Sequence, residues 1–188
     1  MTKTAIQLRP LKLADQALFP EAVRLLNRTQ GEGLFKPDYL EQLVSRDDAV
    51  VIAAFEMSKI IGLGVAQIIN NFDYYLRFDP QVNERFKDLK VGSFSTLCFQ
   101  EGYRGQGLGQ KIGQARLQWL QEQACDVVVG VSWLSGLAHT SDRVFQKLGF
   151  TPVAVVENFY LADTYFVCPA CQKPPCVCSA QMYRKQLK

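Results

Sequence analysis

The sequence lacks several features that define specialised classes of protein. It has no apolar run of the roughly 18 residues that a membrane-spanning helix needs, and no signal-peptide segment follows its start at residues 1–5. It has no internal repeats and no dense basic stripe of the kind that binds nucleic acid, and its formal net charge is only +3. These absences predict a cytoplasmic protein with neither a membrane nor a nucleic-acid partner.

The composition is that of an ordinary globular protein. The 188 residues are 48% hydrophobic and 21% charged, which argues against disorder. A chain of this length buries about two thirds of the surface that its unfolded form exposes, so it needs no disulfide or metal in order to fold. We therefore expect one domain over residues 1–188.

The hydrophobic pattern alternates between segments typical of strands and segments typical of helices. Strands are predicted at residues 5–9, 49–55, 60–69, 91–99, 126–133, 153–160 and 180–186. Helices are predicted at residues 15–27, 37–43, 80–89, 108–123 and 141–148, with Asp15 as the N-cap of the first. The pattern predicts an α/β protein.

The most informative segment is the glycine-rich loop Arg104-Gly105-Gln106-Gly107-Leu108-Gly109, which joins a predicted strand to a predicted amphipathic helix. A helix N-terminus attracts phosphate through unpaired backbone N–H groups, and glycines let phosphate oxygens approach them. The alternative is a tight turn that needs glycine for its backbone conformation and binds no ligand. A P-loop is not matched, because Gln110-Lys111 follows the last glycine, and the dinucleotide-binding spacing is not matched either.

The loop resembles the cofactor-binding motif of the GNAT superfamily of N-acetyltransferases, in which Arg or Gln is followed by two residues, Gly, one residue, and Gly or Ala. Arg104, Gly107 and Gly109 meet this pattern. The segments Arg9-Pro10, Phe145-Gln146-Lys147-Leu148-Gly149-Phe150 and Gln181-Met182-Tyr183-Arg184-Lys185 resemble other parts of the family in the expected order. The resemblance implies a GNAT-like α/β fold with a mixed, twisted central sheet flanked by helices. It also implies that the protein transfers an acetyl group from acetyl-CoA directly to a primary amine on a small molecule or peptide. Many members of the family form dimers, so the resemblance also allows a homodimer.

The resemblance also implies which residues bind acetyl-CoA. The pyrophosphate would lie on the loop from Arg104 to Gly109 and on Gln110, and Phe145 would belong to the same cofactor site. The backbone amides of Leu97, Cys98 and Phe99 would contact the pantetheine and the thioester carbonyl, because the family's strand before the loop separates from its neighbour.

The resemblance does not identify the groups that move protons. Many relatives carry a tyrosine at the position of Phe145, and its hydroxyl protonates the departing sulfur. Phe145 has no hydroxyl, so Ser141, one helical turn earlier, or water would replace it. Candidates for a general base are Glu101 and His139, the only histidine, although a lone histidine is more often structural. Ser93 and Ser95 could hold a water relay, and Cys98 raises the alternative of a covalent step.

Four of the six cysteines form a cluster near the C-terminus: Cys168-Pro-Ala-Cys171, four residues, then Cys176-Val-Cys178. Four thiolates match the tetrahedral coordination of a structural Zn²⁺. Two disulfides, a redox pair or an iron–sulfur cluster are the alternatives. We expect a zinc knuckle as an insertion at residues 161–179, before the last strand.

Two functions therefore remain open. One is the acetyltransferase. The other, favoured by the missing hydroxyl at Phe145, is a non-catalytic acyl-CoA-binding module whose knuckle recruits a partner.

Overall fold

The computed structural model describes residues 5–136 and 141–188. Seven strands lie within these ranges, numbered β1 to β7 in chain order: Ile6–Pro10, Ala49–Glu56, Lys59–Ile69, Val91–Phe99, Val127–Leu134, Thr151–Val156 and Ser179–Gln186. Five α-helices, numbered α1 to α5, lie within the same ranges: Phe19–Gln30, Tyr39–Val44, Val82–Phe86, Leu108–Glu122 and Asp142–Lys147.

The strands form one mixed sheet in the order β1-β2-β3-β4-β5-β7-β6. Every neighbouring pair is antiparallel except β4 and β5, which are parallel. Parallel neighbours need a crossover connection, and α4 supplies it. The predicted mixed sheet flanked by helices is confirmed.

The two faces of the sheet carry different helices. Val51, Ala53 and Phe55 of β2 pack in one buried cluster with α1 and α2. The alternate residues Val50, Ile52 and Ala54 pack in another cluster with α4 and α5. This division follows from the period of two along a strand, and it places α1 and α4 on opposite faces. We call them the α1 face and the α4 face.

Most predicted boundaries agree with the structure to within a few residues, but the first helix does not begin as predicted. Leu13–Leu18 form a 3-10 helix, and α1 begins at Phe19. Asp15 is therefore not the N-cap of α1. Its carboxylate accepts two hydrogen bonds of 2.8 Å from the Arg9 guanidinium and one of 3.0 Å from the Lys12 amide. These partners fix Asp15 one turn before the helix, so the N-cap prediction was wrong.

The cysteine cluster lies between β6 and β7, as predicted. Phe166, Cys168, Cys176 and Cys178 form a small buried cluster of their own. The strands on either side of this segment pair with each other, so the chain leaves the sheet after Val156 and returns to it at Ser179. Across residues 5–136 and 141–188, no helix combines the length and apolar character that crossing a bilayer would require.

Candidate active site and metal centre

The central strands β4 and β5 are paired over only part of their length. The parallel pairing begins with Val91 opposite Val127 and ends with Phe94 opposite Gly130. The strands themselves continue, β4 to Phe99 and β5 to Leu134. The register between β3 and β4 shifts immediately after Phe94, which leaves Ser95 as an extra residue in β4. A bulge of this kind bends a strand. The two strands therefore separate, and we call the opening between residues 95–99 and 131–134 the fork.

Solvent exposure agrees with this geometry. Ser95 is exposed although it lies on a central strand between the buried residues Phe94 and Thr96. A residue in the middle of a seven-stranded sheet becomes exposed when its neighbouring strand moves away. Ser95 thus marks the base of the fork.

Two residues of β4 direct their backbone groups into the fork. The Gln100 amide donates to Ile61 O of β3 at 2.8 Å. Because successive residues of an antiparallel strand alternate, Cys98 also faces β3, whereas Leu97 and Phe99 face the other way. The Gln30 side-chain amide donates to Leu97 O at 3.0 Å, which agrees with that orientation. The backbone donors available to the fork are therefore Leu97 and Phe99, and the amide of Cys98 is directed to β3.

The glycine-rich loop follows directly from the Phe99 end of the fork. Gly105 and Gly107 adopt left-handed conformations, with φ of +75° and +77°. A Cβ atom built on either glycine would meet no heavy atom within 4 Å. The space beside these two glycines is therefore open, and the backbone there is accessible to a ligand.

The loop leads directly into α4, so the free backbone amides at the start of α4 lie next to the open space beside Gly105 and Gly107. Gly107 is the N-cap of α4 and has no side chain with which to cap it. The first helical bond joins the Lys111 amide to Gly107 O at 3.2 Å, so the amides of Leu108, Gly109 and Gln110 have no intrahelical acceptor. The dipole of this 15-residue helix adds a partial positive charge at that end. This combination is suited to binding phosphate.

The remaining residues of the motif have different environments. Arg104 is exposed, and its Nε lies 3.4 Å from Phe99 O. The Gln106 side chain donates to Gly102 O at 2.8 Å, which fixes the curve of the loop. A Cβ atom on Gly109 would lie 3.2 Å from Val144 Cγ2 of α5, so glycine at this position allows α4 and α5 to approach closely.

The predicted catalytic residues are spread around the fork. Glu101 lies in a 3-10 turn between the fork and the glycine loop, and it is exposed. Ser141, the N-cap of α5, donates to the buried hydroxyl of Ser132 at 2.9 Å. Ser132 belongs to the β5 side of the fork, so this hydroxyl pair lies beside it. His139 lies outside the described residues.

Phe145 packs against the base of the fork from the α4 face. Its ring stacks on Tyr183 with centroids 4.7 Å apart. A Cβ atom on Gly130, the last paired residue of β5, would lie 2.6 Å from Phe145 Cζ. The ring therefore fills the space that glycine leaves at the base of the fork, and it carries no group that can donate a proton.

A buried hydroxyl pair lies on the α1 face, just before the base of the fork. Tyr75 and Ser93 hydrogen-bond through their hydroxyls at 2.8 Å. Burial raises the pKa of Tyr75 to about 12, so the phenol is protonated at neutral pH. The sequence suggested Ser93 as part of a relay but did not predict its partner, because 18 residues separate the two.

Arg116 of α4 is a functional candidate that the sequence analysis missed. It is 2% exposed, and its guanidinium donates to Val65 O at 3.1 Å and to Thr96 O at 3.0 Å. These carbonyls flank the β4 bulge, and the guanidinium also lies 3.8 Å above the Phe94 ring. Burial lowers the pKa of Arg116 to about 9, which leaves the side chain charged at neutral pH. Its spacing of four residues from Ile112 and Leu120 was the signal that it faces the core.

The four cysteines of the C-terminal cluster converge on one point. All four Sγ atoms lie within 4.8 Å of one another. The Sγ–Sγ distances include 3.6 Å for Cys171 and Cys178, and 3.9 Å both for Cys168 and Cys178 and for Cys171 and Cys176. Four Zn–S bonds of about 2.3 Å in a tetrahedron separate the sulfurs by about 3.8 Å. A disulfide needs a separation of about 2.05 Å, so the geometry fits one tetrahedral ion and not two disulfides.

The protonation of these thiols would depend on whether a cation is bound. Burial raises the pKa of Cys178 to about 11, whereas the Val177 backbone amide lowers the pKa of Cys171. A buried thiol with a raised pKa is neutral at pH 7, so these cysteines would all become thiolates only with a positive ion between them. The Cys171 amide donates to Cys168 Sγ at 3.3 Å. This hydrogen bond accompanies the backbone bend that directs both sulfurs of the Cys-x-x-Cys pair to one point.

Comparisons with known proteins agree with this geometry. The model of the acetyltransferase (GNAT) family matches residues 19–150. Among curated proteins, no sequence matches the chain.

Solved structures with the same fold include three N-acetyltransferase-type proteins. Mosquito arylalkylamine N-acetyltransferase like 5b has a TM-score of 0.70 and 17% identity, with 97% of this chain and 100% of that chain covered. The polyamine N-acetyltransferase of Drosophila melanogaster has a TM-score of 0.65 and 15% identity, with 97% and 100% covered. Arabidopsis thaliana NAA60 in complex with acetyl-CoA has a TM-score of 0.68 and 16% identity, with 97% and 99% covered.

At these identities the solved structures establish the fold, whereas the family model covers more than half of the chain. The chain belongs to the GNAT family of acetyltransferases.

Proposed function

We propose that this protein transfers an acetyl group from acetyl-CoA to a primary amine on a small molecule or peptide, by direct attack. The observation that carries the proposal is the fork, which opens directly beside the free amides at the start of α4. A cofactor that combines a phosphate group with an extended thioester arm needs both features, one after the other. Acetyl-CoA has that shape.

The chain supplies a distinct contact for each part of this cofactor. The amides of residues 105–110 and the Arg104 guanidinium are placed to bind the pyrophosphate. The amides of Leu97 and Phe99 are placed to bind the pantetheine arm and to polarise the thioester carbonyl. When bound, acetyl-CoA supplies an acetyl thioester: the amine nitrogen bonds to its carbonyl carbon, the carbon–sulfur bond breaks, and the proton lost by nitrogen ends on sulfur.

Three groups around the fork can hold or move protons in this reaction. The Ser141–Ser132 hydroxyl pair lies on the β5 side, where it can donate toward a departing thiolate directly or through water. The Tyr75–Ser93 pair lies on the α1 face, where it can orient a water that accepts the proton of the amine. Glu101 is the exposed carboxylate next to the loop and could receive that proton. His139 stays a candidate base from the sequence.

We predict that the Cys98→Ala variant keeps its turnover within about threefold, a change in barrier below 1 kcal/mol. Cys98 is 5% exposed, and burial raises the pKa of its thiol to about 12, so little thiolate exists at neutral pH. Steady-state kinetics and mass spectrometry of the quenched enzyme check this. Loss of turnover together with an acetylated Cys98 in the native enzyme would show a covalent route instead.

The rival function is a non-catalytic acyl-CoA-binding module. Phe145 favours it, because the ring is fully packed and provides no acid at the base of the fork. A thiol-release assay with acetyl-CoA and a panel of amines separates the two functions. The panel includes agmatine, a longer polyamine, an arylalkylamine and peptides with free N-termini, since the names of proteins with similar structures include agmatine, polyamine, arylalkylamine and peptide ligands. Amine-dependent CoA release supports the enzyme, whereas CoA binding without release for any amine supports the module.

We also propose that Cys168, Cys171, Cys176 and Cys178 hold one structural Zn²⁺ within a single acyltransferase domain of residues 1–188. Four sulfur ligands leave no open coordination position, so the ion would stabilise the segment and take no part in the reaction. Elemental analysis of the purified protein is expected to give about one zinc per chain. The Cys171→Ala variant should lose the zinc, and the Cys125→Ala variant, which removes a buried cysteine elsewhere, should keep it. Iron in place of zinc, or no metal, would contradict this assignment.

A further inference from the structure

The cysteine segment is joined to the loop that follows α1. The Glu32 amide donates to Val167 O at 3.0 Å, and the Val167 amide donates to Glu32 O at 2.9 Å. Val167 directly precedes the ligand Cys168. A backbone ladder therefore connects the proposed metal site to a loop that lies more than 130 residues earlier in the chain.

Side chains strengthen the same connection. The buried ring of Phe166 lies beside Gly31, where a Cβ atom would come within 2.5 Å of Phe166 Cδ2. Phe166 clusters with the cysteines, and Leu34 from the loop after α1 and Trp133 from the β5 side of the fork pack against this cluster. The cysteine cluster thus contacts both the loop after α1 and one side of the fork.

The connection reaches the strand that forms the other side of the fork. Gln30, the residue before Gly31, donates its side-chain amide to Leu97 O at 3.0 Å. Leu97 is one of the two residues whose backbone faces the opening. At the other end of the segment, Cys178 directly precedes Ser179, which pairs with Leu134 at the tip of β5. Both sides of the fork are therefore linked to the cysteine site within a few residues.

All of these contacts lie on the α1 face. Val129 and Val131 pack with Tyr75 on that face, and Trp133 follows them at the same alternation. The start of α4 and its glycine loop belong to the opposite face. A cofactor held on the α4 side leaves the α1 side of the fork for the amine acceptor.

We propose that the metal on the four cysteines fixes the acceptor-side wall of the fork, consisting of residues 30–34 and 160–168, and thereby sets acceptor binding without affecting CoA binding. This inference rests on the proposed zinc site, and on the proposed acetyl transfer for its kinetic part only. Without the metal, the ladder between Glu32 and Val167 would lose its anchor at Cys168. The wall would then open while the glycine loop, on the other face, would stay as it is.

The test compares the zinc-loaded protein with the Cys171→Ala variant, and uses Cys125→Ala as the matched control. Loss of zinc should abolish the slow hydrogen exchange of the Glu32 and Val167 amides and raise the KM for the best amine about tenfold or more. The Kd for CoA, from calorimetry, should change less than about twofold. Cys125→Ala should keep the zinc, the exchange pattern and the KM.

A second variant disturbs the wall and keeps the metal. Gly31→Ala places a methyl group against the Phe166 ring, and it should raise the amine KM while one zinc per chain remains. Unchanged exchange and unchanged KM in zinc-free Cys171→Ala would overturn the proposal, and so would a parallel loss of CoA binding. If no amine is turned over by the native protein, the acetyl transfer fails, yet the exchange of the Glu32 and Val167 amides still decides whether the metal holds the wall.

Discussion

Replacing Gly107 by valine is expected to weaken CoA binding roughly 100-fold, which corresponds to about 3 kcal/mol. Gly107 has a φ of +77°, and the space where its Cβ would lie is empty. A valine side chain would enter the space assigned to the pyrophosphate and would strain the left-handed backbone. The loss of two hydrogen bonds to a charged group, at about 1.5 kcal/mol each, gives this magnitude. Calorimetry with CoA measures it directly.

The matched control for this variant is Gly102→Ala. A Cβ at Gly102 also meets nothing within 4 Å, but this glycine does not have a positive φ and precedes the phosphate loop. We expect its CoA affinity to equal that of the native protein. Because Gly107→Val also strains the start of α4, the titration is made well below the unfolding temperature of each variant. Equal CoA affinities for Gly107→Val and the native protein would contradict the assigned phosphate site.

Replacing Arg116 by alanine is expected to lower the free energy of unfolding by about 3–5 kcal/mol. The change removes the donors to Val65 O and Thr96 O, which lie in the core at the β4 bulge. It also leaves a cavity beneath Phe94, over which the guanidinium lies. Urea denaturation of the native and variant proteins gives the difference.

Two further variants separate the causes. Arg116→Met keeps most of the volume and loses only the donors, so a smaller loss of about 2 kcal/mol is expected. Lys111→Ala removes an exposed cation from the same helix and should change stability by less than about 0.5 kcal/mol. An Arg116→Met protein as stable as the native one would show that the bulge does not need these hydrogen bonds.

The sequence predicts the local structure of this site better than its assembly. β4 and α4 were predicted within one residue, because a continuous apolar run and a helical period are local signals. The loop between them was identified by its glycines, two of which are left-handed. The fork could not be predicted from the residues themselves, since it depends on where the pairing of β4 and β5 stops. That point is fixed by a bulge at Ser95 and by the distant side chain of Arg116.

Three other features of the structure were not predicted from the sequence. Asp15 has the composition of an N-cap, but its carboxylate is bound by Arg9 and Lys12 before α1 begins. The helix predicted at residues 80–89 shrinks to Val82–Phe86. The Cys-x-x-Cys spacing indicated the proposed metal site, but the ladder between Glu32 and Val167 joins segments that no local pattern connects.

The two faces of the sheet have different roles in the proposed function. The α4 face presents the free amides that would bind phosphate, and the α1 face presents the Tyr75–Ser93 pair and the segment that contacts the four cysteines. The fork is the passage through which the two sides meet. In the proposed reaction this arrangement would bring a thioester and an amine together without requiring either to cross the core.

A crystal structure of the protein with CoA tests the central claim most directly. We expect the pyrophosphate to bind the amides of residues 105–110, the pantetheine arm to lie along Leu97 and Phe99, and the thiol to lie at the fork near Ser95. CoA bound at another surface, or a fork closed by continued pairing of β4 and β5 beyond Phe94 and Gly130, would contradict it.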